Sequence, residues 1–150
     1  MNQANIEINA QQLIAAAALA YERAYAPYSN YRVGAAVLTD DRLIFTGCNV
    51  ENAVYPLCLC AERVAITKAV SEGARHIIAV AVVTANGGTP CGSCRQVMRE
   101  FSTPDMLIFI ANVRGEYQTW TLAQLLPESF SAEDLAGHAQ EAIHTPTDQS

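Results

Sequence analysis

The sequence predicts an α/β fold: a mixed sheet of about five strands between layers of helices, a three-layer α/β/α arrangement. Three observations carry this. Ile77–Thr84 (IIAVAVVT) is apolar and β-branched throughout, as a strand covered on both faces must be. Short apolar runs alternate with segments that open on helix-capping residues. At 150 residues and 51% hydrophobic content, the chain is long enough to bury a core as one domain spanning 1–150.

The elements follow in order. Asn9 to about Ala24 reads as a helix: Asn9 caps it, Gln12 is at the third helical position, an alanine-rich run follows and Pro27 lies just beyond. Val33–Leu38 and Leu43–Cys48 flank TDDR as a β-hairpin. A helix from Cys60 or Ala61 to Glu72 stops at Gly73. After the central strand, Gly87 and Gly88 form a loop, and Thr89-Pro90 reads as a cap plus first-position proline opening a helix to about Phe101. Met106–Ala111 and Tyr117–Trp120 are further strands, and Thr121 caps a brief helix ending near Pro127. Past Phe130 the chain turns polar, and a flexible tail is expected from about residue 137.

A net charge of −6 with only 9 lysines and arginines, and no basic run, argues against nucleic acid and anionic membranes as partners. A small neutral ligand fits better. MNQANIEINA lacks the basic start and apolar core of a signal peptide, and no apolar run is long enough to span a bilayer. The five cysteines are odd in number and clustered, which favours thiols or metal ligands in the cytoplasm over a disulfide framework. With only 16% charged residues, some apolar surface is expected to be covered by another subunit.

The chemistry concentrates in Cys60-Ala61-Glu62 and Pro90-Cys91-Gly92-Ser93-Cys94. Cys91 and Cys94 share a face in the first turn of one helix, and Cys60 stands at the start of another. Helix N-termini stabilise thiolates, and three thiolates suit Zn²⁺ with a fourth position open to water. Residues two apart on a helix point far apart, so Cys60 and Glu62 can meet only beyond the helix end. A carboxylate there is placed to take a proton from water held by the metal. Arg63 balances the negative charge of the thiolates or is an ordinary surface arginine; the sequence leaves both readings open.

C-A-E followed by P-C-x-x-C-R-Q, with AYAPYSNYRVGAAVL, GCNVENAVYP, KAVSEG and LLPESFSAEDL around it, resembles the zinc-dependent cytidine deaminases over roughly residues 20–135. A cysteine as first ligand resembles the small homotetrameric branch acting on free nucleosides. The resemblance implies one Zn²⁺ per subunit on Cys60, Cys91 and Cys94. It implies Glu62 as proton shuttle, carrying one proton to N3 of cytosine and a second to the departing amino group. Cytidine and deoxycytidine would give uridine and deoxyuridine plus ammonia, in pyrimidine salvage.

On the substrate side, the resemblance implies that Asn49 and Glu51 hydrogen-bond the ribose 3′-hydroxyl, and that Ala61 also contacts substrate. Tyr31 stands where relatives usually carry a phenylalanine against the base; a half-buried strand tyrosine is the other reading, and its hydroxyl needs a partner. Tyr55 and Phe130 match positions that reach a neighbouring subunit's site. Val64 departs from a common threonine. Cys48 and Cys58 read as packed thiols, and His76, His138 and His144 as surface residues.

Overall fold

A computed structural model describes residues 8–141, with side chains described as far as 136. The elements are α1 (Ala10–Tyr21), β1 (Val33–Thr39), β2 (Ile44–Cys48), α2 (Ala61–Ser71), β3 (Ile77–Thr84), α3 (Gly92–Glu100), β4 (Leu107–Asn112), β5 (Tyr117–Thr121), α4 (Leu122–Leu125) and α5 (Ala132–Glu141). A 3-10 turn over Tyr55–Leu57 precedes α2. The sheet runs β2-β1-β3-β4-β5; only β3 and β4 are parallel, the other neighbours being antiparallel. This is the expected mixed five-stranded sheet, and each strand lies within about a residue of its expected bounds.

Period-2 alternation sorts the strand residues into two cores. Val80, Val82, Ile108 and Ile110 face Ala65, Ile66, Cys94, Met98 and Leu122 of α2, α3 and α4. Ala36, Ala79, Ala81 and Ala111 face Leu13, Ile14 and Ala17 of α1. The alanines let α1 lie close to the sheet, and Gly34 goes further: a Cβ there would stand 2.1 Å from the Ala17 carbonyl oxygen. Both faces of β3 are therefore covered, which is why its sequence shows no polar alternation.

Asn9 caps α1 as expected, its side chain accepting from the Gln12 N–H at 3.0 Å. The helix ends at Tyr21 rather than near Ala24, because Tyr25 is drawn into backbone pairing with Val50. Thr121 and Gln124 form a reciprocal capping box on α4. Thr89 does not cap α3. Its hydroxyl instead accepts from the Arg95 guanidinium at 3.1 Å, and Cys91 takes the cap position two residues later. Helix α5 was not anticipated beyond the polar turn at Phe130; Ser131 opens it, its N–H donating to the Asp134 carboxylate at 2.7 Å.

Candidate active site

Cys60 and Cys91 are the N-cap residues of α2 and α3, and neither side chain makes a capping hydrogen bond. Both sulfurs turn instead towards each other, 3.9 Å apart. Cys94, one turn into α3 and fully buried, brings its sulfur to 3.5 Å from that of Cys91. All three sulfurs lie within 4.8 Å of one another. A tetrahedral ion with zinc–sulfur bonds of about 2.3 Å requires sulfurs about 3.8 Å apart, so the donor set and its spacing fit zinc.

The cluster is electrostatically prepared. A hydrogen bond from the Cys94 thiol, followed by the Arg63 guanidinium, lowers the Cys60 thiol to about 5. Cys94 is pushed up in turn, because it donates to that thiolate. Arg63 is the charge partner: one guanidinium nitrogen lies 3.5 Å from the Cys60 sulfur and donates to the Cys58 carbonyl at 3.2 Å. Glu62, in the first turn of α2 and 4% exposed, lines the same cavity as Cys60 and Cys91. Burial, reinforced by the Cys60 thiolate, holds its carboxyl above the usual range.

That cavity, of about 340 Å³, also takes in Tyr31, Val33, Asn49, Glu51, Val82, Thr84, Gly88 and Thr89. The Asn49–Glu51 segment is held by backbone on both sides: Val50 exchanges two 2.9 Å hydrogen bonds with Leu59, and Tyr25 bonds Asn49 and Glu51. Asn49 is half spent on the fold, its Oδ1 accepting from Val33 N–H at 2.9 Å and its Nδ2 donating to the Tyr31 carbonyl at 2.8 Å. Glu51 accepts from the Ser29 and Tyr28 N–H groups at 3.0 Å, and these bonds, Ser29 first, hold its carboxyl below the usual range. It is therefore an ionised acceptor at the rim.

Six of the expected site residues, Cys60, Cys91, Glu62, Asn49, Glu51 and Tyr31, line the one cavity. Cys94 lies buried beneath it, and Ala61 is buried at the first position of α2. Tyr55 and Phe130 stand outside. Tyr55 packs edge-on against Tyr28 at 5.7 Å, and Phe130 is 58% exposed with its carbonyl accepting from Gln96. Cys58 is tied to the Asn52 backbone and Cys48 donates to the Arg23 carbonyl. His76 is exposed; the side chains of His138 and His144 lie outside the described residues. Sequence reasoning missed Ser29, Thr84, Asn86 and Gly88; the S-N before Tyr31 and the N-G-G after β3 were the available signals.

Comparison with known proteins bears on the same residues. The family model for the cytidine and deoxycytidylate deaminase zinc-binding region matches residues 7–110. A cytidine deaminase of Sporosarcina psychrophila is 46% identical over 136 residues, 89% of this chain and 100% of its own length. One of Halalkalibacterium halodurans is 48% identical over 127 residues, 83% of this chain and 96% of its own. The crystal structure of cytidine deaminase from Burkholderia pseudomallei superposes with a TM-score of 0.78 at 46% identity, covering 82% of this chain and 100% of that one. With the three sulfurs at zinc spacing inside the matched region, the chain belongs to the cytidine and deoxycytidylate deaminase zinc-binding family.

Proposed function

We propose that the chain is a hydrolase that deaminates cytidine and deoxycytidine to uridine and deoxyuridine with release of ammonia. One observation supports this above the rest: a buried glutamate, Glu62, shares a cavity with Cys60 and Cys91, two of three thiols spaced for zinc. Zinc, when bound by Cys60, Cys91 and Cys94, supplies a water molecule acidified enough to attack the base near neutral pH. Glu62 receives the proton that the water gives up and passes it to N3 of cytosine, which makes C4 electrophilic. It then takes the proton left on the hydroxyl added at C4 and gives it to the amino nitrogen, so that the C4 carbonyl forms as the C4–N bond breaks and ammonia leaves. A carboxyl buried in the same cavity as Cys60 and Cys91 is placed for both transfers.

The remaining residues orient the nucleoside. Ionised Glu51 and the spare Nδ2 hydrogen of Asn49 serve the ribose 3′-hydroxyl, and the Tyr31 ring serves the base. Ala61, at the first position of α2, has an N–H with no intrahelical partner to offer the base. Arg63 offsets the thiolate charge. The chain works as one domain in a cytoplasmic homotetramer in pyrimidine salvage, with exposed Tyr55 and Phe130 completing a neighbour's site. Nothing basic recommends a nucleic-acid partner, and no helix among the described residues is long and apolar enough to cross a membrane.

An ultraviolet assay of zinc-loaded protein with cytidine, deoxycytidine, blasticidin S and adenosine tests the reading. Turnover of the first two alone is expected. Turnover of adenosine or blasticidin S in their place would overturn it.

A further inference from the structure

Tyr31 is held at both ends. Its N–H donates to Ser29 Oγ at 3.0 Å, and its carbonyl accepts from Asn49 Nδ2 at 2.8 Å. Across the cavity its hydroxyl donates to Asn86 Oδ1 at 2.8 Å, joining residues 55 apart in sequence. The same Asn86 oxygen accepts from the Thr84 hydroxyl at 3.3 Å, and Thr84 Oγ1 accepts from the Gly88 N–H at 2.6 Å. The acceptor is thus anchored to the end of β3. Gly88 leaves the room that the hydroxyl needs, since a Cβ there would stand 2.3 Å from it.

Tyr31 is 40% exposed, so packing alone does not choose its rotamer. We propose that Asn86 is a positioning residue for nucleoside binding: by holding the Tyr31 hydroxyl it latches the 28–31 loop to the 86–89 loop and fixes the ring as a wall of the cavity. The role rests on the deaminase reading above. A ring set free must be ordered again by each incoming nucleoside, which weakens binding. The ring moves no proton, so the loss falls mainly on KM.

The test is a double-mutant cycle of Tyr31→Phe and Asn86→Ala in the zinc-loaded protein. KM and kcat are read for cytidine, and the midpoint of urea unfolding is read beside them. Loss of one neutral hydrogen bond corresponds to about a 2- to 12-fold change in KM. Each single variant should show it, and the double variant should be no worse than either. Asn86→Asp keeps the acceptor and should restore KM to within about twofold of wild type. Gly88→Ala should raise KM in the Tyr31 protein and much less in the Tyr31→Phe protein, where the opposing oxygen is gone. Additive effects, an unchanged KM in Asn86→Ala, or a loss confined to kcat would overturn the latch. A wild-type protein inert towards cytidine would refute the deaminase reading and the substrate role with it. Uncoupled variants of an active protein refute the latch alone.

Discussion

Replacing Glu62 by Gln should separate activity from stability, moving the two in opposite directions. Gln preserves shape and removes the titrating group. General acid–base catalysis contributes about 10²–10⁴ per transfer, and the mechanism proposed above gives Glu62 two transfers, so turnover should fall by about 10⁴ or more, roughly 5.5 kcal/mol in the barrier. The stability effect has the other sign. Glu62 is 4% exposed, and burial raises its carboxyl above the ordinary 4.5. A folded value above the unfolded one means that the native state holds the proton more tightly, so this group costs stability increasingly as pH rises above the unfolded value. The cost stops growing once the pH passes the folded value. Metal-free Glu62→Gln should therefore be more stable than metal-free wild type near pH 8, by about 1–3 kcal/mol, and the gap should close as the pH falls towards 4.5. In a chain of this size each kcal/mol is roughly 2–4 °C in Tm. The stability comparison uses metal-free protein because a bound dication pulls the carboxyl back down. Calorimetry across pH, an ultraviolet turnover assay and metal analysis make the measurement. A variant that keeps full zinc and more than about 1% of turnover, against the loss expected for a proton shuttle, refutes the reasoning. So does one less stable than wild type throughout.

Cys94→Ser should lower bound zinc from about one ion per chain towards zero, measured by elemental analysis after dialysis; retained zinc would remove Cys94 from the ligand set. Gly34→Ala places a Cβ 2.1 Å from the Ala17 oxygen and 2.3 Å from the Tyr21 nitrogen. Both are backbone atoms that no rotamer can move, so the urea midpoint should drop by the equivalent of about 1–3 kcal/mol or more; an unchanged midpoint contradicts the packing of α1. Glu51→Gln should raise KM for cytidine by roughly tenfold or more, as loss of a charged hydrogen bond does, while leaving any trace turnover of free cytosine unaltered. An equal change on both substrates would detach Glu51 from the sugar.

Strands and the three-thiol cluster were legible in the sequence because each is dictated locally. IIAVAVVT can be little else than a doubly covered strand, and a C-A-E paired with C-x-x-C fixes which sulfurs meet once both segments begin helices. Long-range competition hid the rest. Thr89-Pro90 is a sound helix start by local rules, yet Arg95 claims the Thr89 hydroxyl and the Pro90 carbonyl, so the helix begins later. Alanines after Tyr21 would extend α1, but pairing of Tyr25 with Val50 takes the chain elsewhere. The partner of the Tyr31 hydroxyl, Asn86, lies 55 residues away, beyond any local pattern. Helix α5 was the avoidable miss: Ser131 followed three residues later by Asp134, with acidic residues in the first turn, is a readable N-terminal signal.

The two cysteine caps have a consequence for the life of the fold. A serine, threonine or aspartate at a helix N-cap contributes about 1 kcal/mol, and α2 and α3 both forgo it. Isolated from the metal, each of these helix starts lacks the side-chain hydrogen bond that a better capping residue would supply. A ligand that binds only the native state stabilises it by RT ln(1 + [L]/Kd), so the deficit closes in proportion to the logarithm of free zinc. Zinc supply then sets how much folded protein persists against proteolysis, as well as how much of it is active. Serine or aspartate at one cap would stabilise that helix start by about 1 kcal/mol and remove one of the three thiols, giving a sturdier metal-free protein with a weaker hold on zinc.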